Sequence, residues 1–396
     1  MIKTIRVETI KEKEGFLQTP LLTKEEVEGA IQRGVEQVKQ NMQYFGTEFP
    51  SPATKGNTYG IIGNTEWTNG FWTGLLWLCY EYTGEDVFRQ RAEENIASFL
   101  WRVENRVELD HHDLGFLYSL SCVAGWKAAG SEDGKRAGIL AAEKLGERFQ
   151  EKGGFIQAWG EFGARDNYRL IIDCLLNIPL LYWASEITGE ERYRRMAERH
   201  YQTACNHVIR DDASAFHTFY FDPETGGPVK GATRQGYSDD SAWARGQAWG
   251  IYGIPLNYRY TRDKSAFNLF AGMTNYFLNR LPKDQVCYWD LIFGDGSGQS
   301  RDSSAAAIAV CGIHEMLKYI PETDPDKEAY RGAMHSILRS LIQNYANKEV
   351  NPGKPILLHG VYSWHSGKGV DEGNIWGDYY YLEALMRFSR DWNLYW

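Results

Sequence analysis

Helical segments of two kinds alternate along the chain. One kind is amphipathic, with charged residues every few positions, and covers 24–43, 86–104, 134–150, 190–209, 264–281 and 325–346. The other kind is apolar on nearly all faces, rich in Gly, Ala and aromatic residues, and covers 69–82, 114–128, 173–187, 241–260, 303–319 and 376–390. A helix with one polar face lies at a surface, whereas a helix that is apolar all round is buried. The alternation predicts an all-α fold in which six inner and six outer helices form a closed double ring.

The links between inner and outer segments repeat as well. Segments 82–86, 187–191 and 260–263 each end an apolar helix and start an amphipathic one, and the first two contain Thr-Gly followed by acidic residues. Glycine supplies the left-handed residue that ends a helix, and acidic residues suit the first turn of the next helix. This weak repeat indicates one domain over 1–396, with 1–20 as an N-terminal extension.

In such a ring the inner helices start on one common face, so the residues at those starts share a pocket. They are Trp67, His112, Asp113, Asp173, the 241–249 stretch and Trp376. Four long connections lead into inner helices and are expected to form the pocket walls: 155–172, 210–240, 287–302 and 350–375. Segment 217–222 within the second connection is a candidate strand. Long loops in a compact domain are commonly functional.

Composition and charge narrow the ligand class. Aromatic residues make up 14% of the chain, and the surplus of Trp and Tyr suits stacking on sugar rings. The net charge of −9 argues against a nucleic-acid partner, so an anionic ligand should be small and held by local cations. No apolar run predicts a membrane span or a signal segment, and no obligate protein partner is evident. The six cysteines are scattered, which fits reduced thiols in the cytoplasm.

Two aspartates, 60 positions apart, each open an apolar segment. Asp113 and Asp173 would be costly to desolvate there without a partner or a chemical task, although Asp is also a common helix N-cap. Two carboxylates in one pocket repel, so one of them retains a proton and can act as an acid near neutral pH. Asp302, before another inner segment, is interpreted as a cap. Rival carboxylates are Asp110, Asp239 and Asp240.

Histidines and cations add further candidate chemistry. His111 and His112 adjoin Asp113, but no histidine spacing resembles a metal site, so neither a metal nor another cofactor is expected. Arg245, which follows Arg234 and Gln235, is suited to a bidentate grip on a carboxylate. The loop Tyr362-Ser363-Trp364-His365-Ser366-Gly367-Lys368 offers two hydroxyls and an ammonium that can hold a tetrahedral oxyanion such as sulfate. The alternative for this loop is an ordinary solvated surface.

These motifs together resemble the unsaturated glucuronyl hydrolases of bacteria, of the glycoside hydrolase family 88 type, over nearly the whole chain after about residue 20. The matching patterns are W-T-x-G-F-W at 67–72, H-D at 112–113, A-W-G at 158–160, R-D-N-Y at 165–168 leading to Asp173, and G-Y-x-D-x-S-x-W-x-R-G-Q-A-W at 236–249. The resemblance implies an (α/α)6 barrel. It also implies release of a Δ4,5-unsaturated uronic acid from the non-reducing end of a glycosaminoglycan disaccharide, from chondroitin sulfate or hyaluronan.

The resemblance further implies how the reaction proceeds and which residues take part. Asp173 matches the general acid/base that protonates C4 of the enol ether and activates water for C5, and Asp113 matches the second carboxylate, which keeps Asp173 protonated. The residues implied to line the sugar site are Trp67, His112, Trp159, His217, Gln235, Arg245, Trp249 and Tyr362. Arg234 with Ser363, Ser366 and Lys368 resembles the members that accept sulfated disaccharides.

Three other functions remain open on the sequence alone. A rhamnogalacturonyl hydrolase on the same fold would act on pectin fragments, but these offer no sulfate for the 362–368 loop. A sugar epimerase on an α/α barrel would use a pair of histidines, whereas carboxylates dominate the helix starts here. A sugar-binding protein without activity would explain the aromatic residues but not a pair of carboxylates.

Overall fold

The inner helices lie against one another in a closed ring, and the outer helices surround that ring. The computed structural model describes residues 2–396. Within that range the outer helices are α2 (Lys24–Phe45), α4 (Asp86–Glu104), α7 (Glu132–Gly146), α10 (Glu191–His207), α12 (Ser265–Leu278) and α14 (Lys327–Ser340). The inner helices are α3 (Asn69–Thr83), α5 (Leu114–Tyr118) with α6 (Ala124–Ala129), α8 (Cys174–Asn177) with α9 (Pro179–Thr188), α11 (Ala244–Thr261), α13 (Ser303–Leu317) and α15 (Ile375–Ser389). The predicted α/α barrel is confirmed.

The ring closes through contacts between consecutive inner helices. Helix α3 contacts α5, the sequence continues through α8, α11, α13 and α15, and α15 returns to α3. Glycines allow several of these contacts to be backbone to backbone, because an added Cβ would lie within 3 Å of the neighbouring helix. The positions are Gly70 against Phe116, Gly115 against Asn177, Gly253 against Leu175 and Gly312 against Tyr252.

The links between helices behave as their sequences indicate. Gly84 and Gly189 end inner helices in the left-handed conformation, with φ of 72° and 75°. The third link has no glycine, and there Arg262 adopts φ of 54° itself. The first outer helix begins with a capping box, in which Thr23 and Glu26 bond to each other's backbone N–H groups.

Two inner helices are interrupted where continuous helices were predicted. The second passes through a π-helical turn at Ser119–Val123, between α5 and α6. The third breaks at Ile178, because Pro179 lacks the N–H that a continuous helix would bond to the preceding turn. The fourth begins at Ala244 instead of 241, and Trp243 forms an isolated β-bridge with Asp290.

Short antiparallel strands lie in the connections that lead into the inner helices. They are β1 (Phe49–Pro50) with β2 (Ile61–Ile62), β3 (Phe149–Gln150) with β4 (Phe155–Ile156), β5 (Arg169–Ile171) with β6 (Thr218–Phe221) and β7 (Pro228–Ala232), and β8 (Gly360–Ser363) with β9 (Lys368–Glu372). Strand β6 confirms the predicted strand at 217–222. The other strands are too short to give a two-residue alternation in the sequence.

The N-terminal segment packs along the outer layer. Ile2, Ile5, Ile10 and Phe16 are buried, and a short helix α1 (Lys13–Leu17) contacts α14. Expected as an extension, the segment adds its apolar side chains to the same hydrophobic cluster as the barrel. No helix within 2–396 is both long enough and apolar enough to cross a membrane.

Candidate active site

A cavity of about 300 Å³ opens at the face where the inner helices start. Its lining combines acidic, basic and aromatic side chains: Glu66, Trp67, Asp113, Trp159, Arg169, Ile171, Asp173, His217, Arg234, Gln235, Trp243, Arg245, Trp249 and Tyr362. Ten of these are residues that the sequence analysis assigned to the site. The shared face predicted for the inner helices therefore exists, and its long connections supply the walls.

The two aspartates converge on one histidine. His112 Nε2 lies 3.3 Å from Asp173 Oδ1 and 3.4 Å from Asp113 Oδ1. The imidazole is buried and is not among the side chains that line the cavity, so its expected contact with the sugar stays a prediction. Burial holds the pKa of His112 well below its usual value, which keeps the ring neutral between the two acids.

The structure answers the question of whether these aspartates are helix caps. Asp113 and Asp173 both occupy N-cap positions, yet neither side chain accepts a capping hydrogen bond. Two other candidate carboxylates do not line the cavity. Asp110 pairs with Lys144 at the surface, and Asp239 accepts a hydrogen bond from the Thr233 backbone N–H. The pair that remains in the cavity is the one at the starts of α5 and α8.

Backbone contact between α5 and α8 brings the two carboxyl groups together. Gly115 lies directly on Asn177, where any Cβ would be 2.3 Å from the Asn177 Cα. The Asn177 side chain then joins both helix starts: its Oδ1 accepts from the Phe116 N–H at 2.9 Å, and its Nδ2 donates to Asp113 Oδ1 at 3.4 Å and to the Asp173 carbonyl at 3.2 Å. One small residue and one amide thus set the separation of the pair.

Burial raises the pKa of both carboxyl groups, but their surroundings differ. The pKa of Asp113 is raised well above its ordinary value by desolvation and by the negative charge of Asp173. Desolvation also raises the pKa of Asp173, to about 7, while the charges of Arg245 and Arg169 and nearby backbone N–H groups act in the opposite direction. The pair therefore holds a proton at neutral pH, as two carboxyls in one dry pocket must.

His111 fixes the orientation of Asp113 and one aromatic wall. Its Nδ1 accepts the Asp113 backbone N–H at 3.1 Å, and its Nε2 donates to the Glu108 carbonyl at 3.1 Å. The ring stacks on Trp159 at 4.4 Å with the planes 9° apart. Burial lowers the pKa of His111 to about 3, so the imidazole stays neutral in this role.

Arg245 is held in the cavity wall by four acceptors. Its Nη1 donates to Asp302 Oδ2 at 2.8 Å and to the Val361 carbonyl, and its Nη2 donates to Gln235 Oε1 at 2.6 Å and to the Tyr362 carbonyl. Arg245 and Gln235 both line the cavity, and their contact with a substrate carboxylate stays a prediction. Asp302 is correspondingly a buried partner of Arg245, and its interpretation as a cap is wrong because its side chain makes no capping bond.

Aromatic side chains form the rest of the wall. Trp67 donates from Nε1 to the Tyr362 hydroxyl at 2.9 Å and stacks on Trp376 at 5.5 Å. Trp249 is buried at the base of the cavity against Phe116, while Trp159 is 38% exposed. A flat ligand therefore meets indole faces both at the base and at the mouth, an arrangement suited to a sugar ring.

The remaining predicted residues belong to the Arg234–Gln235 loop, its contact with His217, and the β8–β9 hairpin. His217 Nδ1 accepts the backbone N–H groups of Arg234 and Gln235 at 2.9 and 3.3 Å, which orients that loop. Ser363 and Lys368 pair across β8 and β9, and Lys368 Nζ lies 4.5 Å from the ring centre of Tyr362. Ser366 donates to the Ser363 carbonyl. These three residues do not line the cavity but adjoin a residue that does.

Sequence reasoning missed three lining residues: Glu66, Arg169 and Ile171. Trp243 lies within the 241–249 stretch predicted to reach the pocket, although it was not named singly, and Arg169 directly follows the R-D-N-Y motif. Their orientation depends on the β-bridge at Trp243 and on the three-residue strand β5, which the sequence pattern does not reveal.

Three donors in the cavity have the chemistry of metal ligands. Ligand atoms of His112, Asp113 and Asp173 lie within 4.8 Å of one another. A divalent cation bound there would require both carboxyl groups to be ionised. The burial that raises both pKa values instead favours a proton on the pair, so the same donor set suits acid/base chemistry.

Comparison with known proteins agrees with this geometry. Residues 41–385 match Glycosyl Hydrolase Family 88. The chain is 66% identical over 395 residues to an unsaturated chondroitin disaccharide hydrolase of Streptococcus pyogenes, covering 100% of this chain and 99% of the relative. The crystal structure of an unsaturated glucuronyl hydrolase from Streptococcus agalactiae superposes with a TM-score of 0.99 at 64% identity, covering all of both chains.

A second solved structure of that enzyme, a variant complexed with dGlcA-GalNAc6S, superposes with a TM-score of 0.91 at 60% identity, again over all of both chains. Family match, sequence identity and fold agree over the whole barrel. The chain belongs to Glycosyl Hydrolase Family 88 and is a glycosidase.

Proposed function

We propose that this glycosidase releases the Δ4,5-unsaturated uronic acid from the non-reducing end of glycosaminoglycan disaccharides. The observation that carries the proposal is the pair of buried carboxyl groups, Asp113 and Asp173, which meet His112 in a cavity walled by indole rings. The names of the relatives, which refer to chondroitin disaccharides and glucuronyl groups, support the same substrate class.

The proposed chemistry is hydration of a double bond. Protonated Asp173 gives its proton to C4, which forms the C4–H bond and leaves positive charge on C5 and the ring oxygen. The resulting carboxylate accepts a proton from water as the water oxygen bonds to C5. The hemiketal then opens at the C5–O bond, and the hemiacetal left at C1 breaks down to release the second sugar. Because C1 is not attacked, the usual pair of carboxylates flanking a glycosidic bond is only a partial guide.

Asp113 and His112 have proposed supporting roles. The Asp113 carboxyl faces the cavity, where it can hydrogen-bond ring hydroxyls, and its charge opposes a second negative charge on Asp173. His112 Nε2 lies 3.3 Å from Asp173 and 3.4 Å from Asp113, close enough to position the pair. Trp67, Trp159, Trp249 and Tyr362 are proposed to stack against the sugars, and His217 orients Arg234 and Gln235.

The cations at the mouth support a sulfated second sugar. Arg234 lines the cavity, and Lys368 lies beside Tyr362 with Ser363 and Ser366 in the same hairpin. Two hydroxyls and two cations suit a tetrahedral oxyanion. A related enzyme in complex with the sulfated disaccharide dGlcA-GalNAc6S is consistent with this assignment.

Ultraviolet absorbance of a Δ4,5-unsaturated chondroitin disaccharide tests the proposal. With purified protein and a chelator present, the enol-ether band should disappear, and Asp173→Asn should abolish the loss while retaining the fold. A band that persists with wild-type protein would contradict the proposal. Faster turnover of an unsaturated rhamnogalacturonan fragment would assign the enzyme to pectin instead.

The cellular compartment is part of the proposal. All six cysteines are buried and unpaired within the described residues, which fits a reducing cytoplasm. A small disaccharide substrate needs no nucleic acid, membrane or second protein for its recognition. Unchanged activity and unfolding temperature after addition of a reductant would support this assignment.

A further inference from the structure

The segment that carries Trp159 is fixed from inside the protein by one arginine. Arg148 lies just beyond outer helix α7 and is 4% exposed. Its Nε donates to the Gln157 carbonyl at 2.9 Å, and its Nη2 donates to the Gly160 carbonyl at 2.9 Å. These two carbonyls stand on either side of Ala158 and Trp159 in the chain. The rigid guanidinium therefore fixes both ends of the segment that presents the indole.

The loop beyond Trp159 is shaped by its own hydrogen bonds. Residues 159–163 are exposed, and Gly160 and Gly163 adopt the left-handed conformation, with φ of 87° and 80°. The side chain of Gln157 is buried beneath the loop, where its Oε1 accepts the Gly163 N–H at 2.8 Å. Arg148 bonds to the backbone of this same Gln157 and to Gly160, so it connects an exposed loop to the end of an outer helix.

The indole of Trp159 contacts groups at the centre of the site. It lines the cavity, and its ring stacks on His111 at 4.4 Å. His111 in turn accepts the backbone N–H of Asp113. Burial raises the pKa of the Asp113 carboxyl, and a hydrogen bond from the Trp159 side chain opposes that rise. A displaced indole would therefore alter the cavity wall first and the surroundings of Asp113 second.

We propose that Arg148 is a positioning residue, which holds the Trp159 indole in the place where it stacks on the sugar. This inference rests on the proposed function, in which Trp159 is one of the stacking residues. Within residues 2–396 no acidic side chain lies within ion-pair distance of Arg148. Its contribution is instead the pair of hydrogen bonds to the backbone on either side of Trp159.

Kinetics of Arg148→Gln on the unsulfated Δ4,5-unsaturated hyaluronan disaccharide test the inference. KM should rise roughly 3- to 10-fold, because a displaced indole loses part of its stacking on the sugar. The change in kcat should be smaller, since stacking stabilises the bound substrate and the transition state alike. Partial unfolding would give the opposite pattern, because kcat would fall with the active fraction while KM stayed the same.

A double-mutant cycle separates positioning from general stability. Trp159→Ala removes the indole and should itself raise KM about tenfold. In that background Arg148→Gln should raise KM no further, because the ring through which Arg148 acts is gone. Arg148→Lys keeps a donor without the fork, so its KM should lie between those of wild type and Arg148→Gln. This variant carries the cycle if Arg148→Gln does not fold.

Lys127→Gln is the matched control. Lys127 Nζ donates to the Leu394 and Tyr395 carbonyls at 3.0 and 2.9 Å, and it belongs to α6, at the end of the second inner helix away from the cavity. The substitution also removes a cation that fixes a segment through two carbonyls. It should lower the unfolding temperature and leave KM unchanged. Thermal unfolding is measured for every variant.

Fluorine NMR of fluorotryptophan-labelled protein observes Trp159 without any substrate. The Trp159 resonance is the one that is missing from Trp159→Phe. Arg148→Gln should shift or broaden this resonance, because the segment that carries the indole is no longer fixed, and Lys127→Gln should leave it unchanged.

Two results would overturn the inference. One is a Trp159 resonance that is the same in Arg148→Gln as in wild type. The other is an effect of Arg148→Gln on KM that persists in full when Trp159 is already alanine, which would make Arg148 a structural cation. Wild-type protein that is inactive on the disaccharide would contradict the proposed function instead, and the NMR comparison would still decide the role of Arg148.

Discussion

At the scale of single residues, neighbouring groups decide what each aspartate does. Asp113 and Asp173 stand at equivalent helix starts, but Asp173 faces the positive charges of Arg245 and Arg169, whereas Asp113 faces amide and indole donors. These surroundings favour the proton on Asp113, while the proposed reaction needs it on Asp173. His112 Nε2 lies within 3.4 Å of both carboxyl groups, and burial keeps this imidazole neutral.

The pH dependence of kcat/KM should report this pair. Because the proposed acid must be protonated and the pKa of Asp173 is raised to about 7, activity should fall as the pH rises through that value. The decline should approach tenfold per pH unit. Initial rates between pH 5 and 9 measure it, and a rate that stays constant from pH 6 to 9 would contradict a general acid with this pKa.

Lys368 should affect sulfated substrates selectively. Lys368→Ala is expected to weaken kcat/KM for a sulfated disaccharide by about 1 kcal/mol, since the ammonium is exposed and its contact with sulfate is screened by solvent. The unsulfated hyaluronan disaccharide should change less, and added salt should reduce the difference between the two substrates. Equal losses on both substrates would count against a sulfate contact.

At the scale of helices and strands, an element can be predicted from the sequence when its pattern of apolar and polar residues is long enough. The inner and outer helices keep their character along most of the chain, so most bounds are close to those expected, apart from the interruptions at Ser119–Val123 and Ile178. The β5 and β8–β9 segments are set instead by contacts between residues far apart in the chain, such as Arg245 of α11 donating to the Val361 carbonyl. Consequently the buried partner of Arg245 could not be predicted, although the aspartates at the helix starts could.

Gly115 tests how the helices position the aspartates. In Gly115→Ala the new Cβ would lie 2.3 Å from the Asn177 Cα, so α5 and α8 must separate. We expect about 1–3 kcal/mol of lost stability and a fall in kcat of about tenfold or more, because the two carboxyl groups shift relative to each other.

A matched substitution away from the site separates these effects. Gly189→Ala meets no atom within 4 Å but has φ of 75°, so it should cost about 1 kcal/mol of stability and leave kcat unchanged. Thermal unfolding and initial rates measure both variants. Full kcat in Gly115→Ala would show that the helix contact does not set the catalytic geometry.

At the scale of the whole molecule, the ring of inner helices places the side chains at the helix starts together on one face of the barrel. The carboxylate pair and the family membership exclude a binding module without activity, and among the histidines only His217 lines the cavity within the described residues, so the pair that an epimerase would use is not formed there. The barrel itself permits many chemistries. The residues at the helix starts determine which reaction this barrel catalyses.

The free energy of unfolding of the whole barrel should depend on pH through the buried Asp173. The folded pKa of Asp173 is above its unfolded value, so its contribution is favourable below about pH 4 and is lost as the pH rises toward 7. Asp173→Asn should therefore be more stable than wild type at pH 8, on the order of 2 kcal/mol, and the difference should vanish near pH 4.

Asp110→Asn is the matched control for that comparison. Asp110 pairs with Lys144 at the surface, and this contact lowers its pKa, so the substitution should slightly destabilise the protein at neutral pH. Denaturant unfolding at pH 4, 6 and 8 measures both variants. An Asp173→Asn difference that is the same at all three pH values would contradict a buried, pKa-shifted acid.

The central claim is that the enzyme hydrates the C4=C5 bond and does not attack the anomeric carbon. The most direct measurement uses a Δ4,5-unsaturated uronate whose glycosidic oxygen is replaced by CH2, which displacement at C1 cannot cleave. Wild-type protein is expected to remove the enol-ether absorbance of this analogue, and Asp173→Asn is expected to leave it unchanged. An analogue that keeps its absorbance, under conditions where the natural disaccharide is cleaved and the analogue binds, would contradict hydration.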